Sequence, residues 1–184
     1  MTFFGWFKPR EIGPSPAVLK WRADWARALE GPGIDDERLR EALHGLSASE
    51  SDVELETEML DALDALRAAQ RQLAEGALPV VETHHRVIGA DRCHFTAPAC
   101  LPAEQAQPAG RVLLGGSRSI FVGGGRTAAT PWHAVRQVLR SERDVLLVRG
   151  DGTAAAHYRF NTYGDAIVCA FLAGQLGPEK RKSL

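Results

Sequence analysis

The chain has 184 residues, room for one ordinary domain or for a small domain with a sizeable appendage. Its 45% hydrophobic and 24% charged residues are the proportions of a soluble globular protein. A formal net charge of −1 supplies no basic field of the kind nucleic acid requires, so no nucleic-acid partner is expected.

The start, Met1-Thr-Phe-Phe-Gly-Trp-Phe-Lys8, lacks both a basic n-region and a long apolar h-region, so it does not read as a secretory signal. No run approaches the roughly 18 apolar residues of a membrane span, and the cytoplasm is the expected compartment. Phe3, Phe4, Trp6 and Phe7 form an aromatic cluster that a small domain does not obviously need. On one helical turn Phe3, Trp6 and Phe7 share a face, with Lys8 and Arg10 behind, a composition that suits a short interfacial anchor at the inner membrane face. A single turn buries little apolar area, so docking on the protein's own core or on another chain is the stronger reading, with disorder as a further alternative.

Ser15-Pro16 starts a helix, with Ser as N-cap and Pro at the first helical position. Val18, Trp21, Trp25 and Leu29 follow at helical spacing, and Gly31-Pro32-Gly33 stops the run. Asp35 caps a second, short helix carrying Leu39 and Leu43, which ends near Gly45. The third helix opens on a capping box, Ser51 with Glu54, or a turn earlier on Ser47 with Glu50. Leu55, Met59, Ala62/Leu63, Leu66 and Leu73 recur on one face as far as Gly76, an apolar stripe expected to pack on the other two helices. Acidic residues crowd its first half and Arg67 and Arg71 lie in its second, the sense that complements a helix dipole.

Beyond Leu78-Pro79 the period changes from helical towards alternating. Pro79-Val-Val81 and Arg86-Val-Ile88 read as extended pieces and Asp91 to Ala97 as a first strand, with Pro98, Pro102 and Pro108 making the next connection a loop. Arg111–Gly115 and Ser119–Gly123 pair as a hairpin across Gly116-Ser-Arg118. Thr127–Trp132, Val135–Leu139, Val145–Arg149 and Ala154–Phe160 continue the meander, with Asp151-Gly152 turning the last two. Thr162 with Asp165 is a second capping box, opening a helix whose Ala166, Ile167, Ala170, Phe171 and Leu176 can cover one end of the sheet. The expected fold class is therefore α+β, with three N-terminal helices in residues 1–77, a β-rich domain with a C-terminal capping helix in 78–177, and a basic tail in 178–184 expected to fray.

Gly110-Arg-Val-Leu-Leu114, Arg118, Ile120-Phe121, Trp132-His-Ala-Val135, Asp151-Gly152, Tyr158-Arg-Phe160 and the helix from Tyr163 resemble the bacterial pleckstrin-homology-like (PH/GRAM-like) superfamily. Its members run Gly-x-Leu-x-Leu-Thr-x-x-Arg-Leu-x-Phe into a Trp-x-x-Ile turn, then an Asp-Gly strand, a Tyr-x-Phe strand and a capping helix. The likeness spans about Arg92 to Leu176, and Gly115 stands where the family has its turn Thr. It implies a partly open barrel of about seven strands closed by a helix, and no activity, because each matched residue is a turn or packing position. In the lipid-binding members Lys and Arg between the first two strands hold phosphoinositide headgroups. Here Ala97 to Gly110 carries one acid and no base before Arg111, so no specific phosphoinositide binding is expected.

Chemistry has few footholds. Cys93, Cys100 and Cys169 are odd in number and irregularly spaced, which excludes a disulfide framework. His84, His85 and Cys93, with His94 and Cys100 nearby, are the densest metal-capable cluster, but the spacing matches no zinc ribbon or finger, and 93 and 94 on a strand would face opposite ways. Gly115-Gly116 and Gly123-Gly-Gly125 open no helix and lack a Gly-Lys-Thr ending, so they read as hairpin turns in which Gly supplies positive φ rather than as phosphate loops. Ser117, Ser119, His133 and His157 have no defined partners, so no catalytic residue and no cofactor are expected. The expected function is a non-enzymatic binding or scaffold module with another protein as ligand, taken at the open sheet edge or beside the C-terminal helix. A peripheral membrane adaptor anchored by the aromatic start is the alternative, and a small metal protein or enzyme built on the His/Cys cluster is the third reading.

Overall fold

The computed structural model describes residues 13–31, 36–49 and 52–177. Phe3, Phe4, Trp6 and Phe7, the caps at Asp35 and Ser51, and the tail from 178 lie outside them. The chain divides into two compact units, one up to Thr57 and one from Glu58, so the boundary falls inside the third helix.

In the first unit, α1 (Pro16–Glu30) begins as its sequence predicts, Ser15 Oγ accepting the Val18 N–H at 3.3 Å with Pro16 at the first position. Val18, Trp21, Trp25 and Ala28 are its buried residues, Ala28 taking the place expected of Leu29. Trp21 crosses to α2 (Asp36–Ser47), its indole N–H donating to the Leu39 carbonyl at 2.9 Å, which satisfies a buried donor. Leu39, Leu43 and Leu46 are the buried residues of α2. Arg22 meets one oxygen of the buried Glu56 carboxylate, Oε1, its Nε donating at 2.7 Å and a terminal nitrogen lying 2.6 Å away, and this charge pairing makes the buried carboxylate tolerable.

Helix α3 (Glu54–Ala74) starts at Glu54, whose N–H is accepted by Asp52 at 3.2 Å. Met59, Leu60, Ala62, Leu63, Leu66 and Ala69 are buried along it. In the second unit Glu58 ties α3 to the sheet domain, one carboxylate oxygen accepting the Tyr163 N–H at 2.8 Å and the other pairing with Arg143 at 2.5 Å. The Arg143 guanidinium also lies 5.1 Å from the centroid of the Tyr163 ring.

The sheet domain is a seven-stranded antiparallel sheet in the order β4-β3-β2-β1-β7-β6-β5. Its strands are β1 (Cys93–Cys100), β2 (Ala109–Gly115), β3 (Arg118–Gly123), β4 (Arg126–Pro131), β5 (Gln137–Ser141), β6 (Asp144–Val148) and β7 (Ala154–Phe160). The helix α4 (Tyr163–Leu176) follows, capped by Thr162 Oγ1 on the Asp165 N–H at 3.1 Å. The sheet is not closed, so β4 and β5 are edges. The α+β class is as expected.

Three local expectations need correction. Arg86–Ile88 is a single 3-10 turn rather than an extended piece, whereas in Pro79-Val-Val81 the Val81 N–H donates to the Cys93 carbonyl at 2.8 Å. Strand β1 runs through Pro98, which had been expected to end it. It survives there because β7 joins β1 only at Ala99 and Cys100, so Pro98 sits where β1 has a single partner strand. The fifth strand starts at Gln137 because Trp132–Ala134 forms a 3-10 turn and Val135 is spent on burial.

Phe95, Val112, Leu114, Phe121, Val145, Leu147, Tyr158 and Phe160 from the sheet meet Ala166, Cys169, Leu172, Ala173 and Leu176 of α4 in one core. Phe160 packs edge-on to both Phe95 and Tyr158, at centroid distances of 6.0 and 6.5 Å. Trp132 locks the core to the β2–β3 turn, its indole N–H donating to Gly115 O at 2.8 Å and its backbone N–H to Ser117 O at 3.1 Å. Replacing Trp132 with Phe leaves a buried carbonyl unpaired. It is expected to cost about 1–3 kcal/mol, read from the shift of the chemical denaturation midpoint.

Candidate functional site

The residues singled out for chemistry do not converge. His84 is exposed and His85 half-buried, and both line a shallow polar hollow of about 400 Å³ with Glu82, Thr83, Thr96 and Arg111. Cys93 is not in that lining. It is buried with Ile88, Leu113 and Ile120, its thiol donating to Phe95 O at 3.2 Å, and burial pushes its pKa up, away from the thiolate a metal or an electrophile would need. His94 turns its Nδ1 to the Pro79 carbonyl at 2.7 Å. Among the described residues no group of three His, Cys, Asp or Glu side chains is placed to hold a metal ion.

The hydroxyls are equally committed. Ser119 meets Tyr158 in a buried pair at 2.8 Å, and burial raises the Tyr158 phenol to about 12. Ser117 bonds to the Asp91 carboxylate at 2.8 Å without an intervening imidazole. Asp144 holds Arg159 at 3.0 and 2.9 Å and the His157 ring at 3.2 Å, and the Arg159 hydrogen bond is the main reason its carboxyl stays below the usual range. Cys169 is fully buried and its thiol is pushed far up. These are arrangements in which charge and hydroxyl groups are already satisfied by the fold.

Among the described residues, open backbone lies beside a groove or hollow at two places. Phe160 N–H donates to Arg143 O at 2.9 Å, so alternation along β6 turns Asp144, Leu146 and Val148 to their partners Ser141, Leu139 and Gln137 and leaves the N–H and C=O of Val138 and Arg140 pointing outward at one edge. Alongside this edge runs a groove of about 230 Å³ between Arg136, Gln137 and Val138 and a helix stripe of Ala170, Ala173, Gly174 and Gly177. The stripe follows helical spacing, and Gly174 has nothing within 4 Å of where a Cβ would stand, so the groove owes its width to absent side chains. Leu139, 43% exposed, stands beside it as an uncovered apolar anchor on the same strand. In the sequence the signal for the stripe is a set of small residues three and four apart, of which the expected sheet-covering face includes only Ala170.

The second place is a hollow, also about 230 Å³, between β4 and the first half of β7, walled by Leu101, Phe121, Ala128 and Ala156. No sequence signal pointed to it, since it exists because β1 departs from β7 after Cys100. Among the described residues no helix is long and apolar enough to cross a membrane. No protein-family model matches the chain, and no curated protein matches it significantly.

Proposed function

We propose that the second unit is a PH-like, non-enzymatic module that binds another protein. The groove between the β5 edge and α4 carries this reading. Outward-facing backbone groups on Val138 and Arg140 offer main-chain hydrogen bonds to an extended segment, and the small stripe on α4 leaves room for its side chains. The strand order and the helix laid across the sheet after β7 support the PH-like resemblance.

Gly174→Leu separates this site from the fold. Nothing stands within 4 Å of the new Cβ, and leucine outranks glycine in a helix, so the variant is expected to gain up to about 1 kcal/mol of stability while filling the groove. With a photo-crosslinking residue at the exposed Gln137, the native protein is expected to give a discrete adduct with one protein in cells, and Gly174→Leu is expected to abolish it. An adduct pattern unaffected by Gly174→Leu sinks the proposal, as does the absence of any adduct.

A further inference from the structure

We infer that the hollow between β4 and β7 is a second recognition site, which takes a short extended peptide and buries one large apolar side chain, aromatic by size. The argument begins with β7. Its Phe160 N–H donates to Arg143 O, on the β6 side, at 2.9 Å, so alternation sends the backbone groups of Arg159 and His157 the other way. Arg159 spends its groups on β1, opposite Cys100. By His157 β1 has turned away at Leu101, and β7 has no partner strand on that side. Ala155 is the extra residue of a bulge, since Leu147 and Val148 pair with Ala156 and Ala154, and its carbonyl is met only at 3.5 Å by the Thr130 hydroxyl.

The volume selects the ligand class. A dry cavity of about 150 Å³ admits benzene, whereas cofactor and drug-sized sites run to about 300–1,000 Å³. At about 230 Å³ the hollow fits a benzyl group with its Cβ and little more. Apolar Leu101, Phe121, Ala128 and Ala156 wall it, and the Thr130 hydroxyl and the Glu104–Arg126 ion pair mark its polar rim. A free apolar molecule would fill the cavity and leave the His157 N–H and C=O without partners. An extended chain supplies both, because a strand presents a donor and an acceptor together on every second residue.

The test is a ¹H–¹⁵N titration of the full chain with the capped peptide acetyl-Ser-Thr-Phe-Thr-Ser-amide. The expected result is saturable shifts of the Ala155 and His157 amides, with at least tenfold weaker binding for the Phe→Ala peptide and for the peptide N-methylated at alternate residues. The Ala128→Phe protein, which fills the hollow from the exposed strand β4, is expected to lose binding to the same degree. Gly174→Leu is expected to leave it unchanged, so this site and the β5–α4 groove stand or fall separately. Shifts absent at Ala155 and His157, or equal affinity for the Phe→Ala peptide, overturn the inference. Equal affinity for the N-methylated peptide or for toluene overturns the peptide assignment in favour of a small apolar ligand.

Discussion

Gly110→Ala is expected to destabilise the second unit by about 3 kcal/mol or more, at the upper end of what overpacking costs. A Cβ on Gly110 would stand 2.3 Å from the Val122 carbonyl oxygen and 2.7 Å from both Gly123 Cα and the Phe121 ring tip. The first two are backbone atoms of the paired strand, and Phe121 is fully buried, so none can step aside without breaking the β2–β3 ladder or the core. Gly123 is the mirror case, its Cβ meeting Ala109 O and Gly110 Cα at 2.5 Å. Two facing glycines thus let the strand ends cross closely while Phe121 lies over them. A fall of roughly 10 °C in Tm is the corresponding readout. Gly45→Ala is the control, because that helical glycine has nothing within 4 Å and its replacement is expected to stabilise by up to about 1 kcal/mol. If both variants melt within about 2 °C of the parent, a shift worth less than roughly 1 kcal/mol, the close-approach argument fails.

Asp91→Ala comes second, at about 2–3 kcal/mol, because one carboxylate organises the whole β2–β3 turn. Oδ1 accepts from Gly116 N–H at 3.0 Å and Arg92 N–H at 2.9 Å, and Oδ2 from Ser117 N–H at 2.9 Å and Ser117 Oγ at 2.8 Å. Partial burial pushes this carboxyl up, but the hydrogen bonds from Ser117, Gly116 and Arg92 outweigh it and hold the pKa below the ordinary value. A folded pKa below the unfolded one means the stabilisation is complete above the unfolded value and is lost as pH falls through the folded one. The stability gap between the parent and Asp91→Ala is therefore expected to be full at neutral pH and to shrink below about pH 4. A gap that stays constant from neutral to that acid range would show that the charge contributes nothing. Asp91→Asn, which keeps the shape but loses half the acceptors, is expected to fall between the two proteins.

Asp91 also explains a correction to the reading of the glycines. Gly124, Gly125 and Gly152 do adopt positive φ, at 59, 74 and 82°, as hairpin chemistry predicts. Gly115 and Gly116 do not. A Cβ on either would strike the Asp91 carboxylate, at 2.7 and 2.9 Å, so these glycines are there for space. Sequence spacing shows that a glycine pair lies in a turn. It does not show that a carboxylate 25 residues earlier in the chain fills the place of the missing side chains.

Local rules carried much of the architecture. Ser15 and Thr162 cap the helices they were expected to cap, because a cap bond closes within three residues and needs no tertiary partner. The strands from β2 to β7 follow from alternation and turn chemistry, with Asp151 holding Thr153 N–H at 2.9 Å around Gly152. The misses lie where a distant strand decides the outcome. Pro98 stays in β1 because of where β7 begins to pair, and Arg86–Ile88 becomes a 3-10 turn although its residues are extended formers.

By itself the sequence determined the α+β class, the order of elements, and the absence of any local motif for a cofactor or a phosphate loop, since those depend on periodicities and spacings within a few residues. Only the tertiary structure decided which backbone groups are left open. The outward edge beside α4 and the gap between β4 and β7 are consequences of strand order and of one early departure, of β1 from β7 after Cys100. Pairing between strands tens of residues apart sets both, and no short window of residues encodes it.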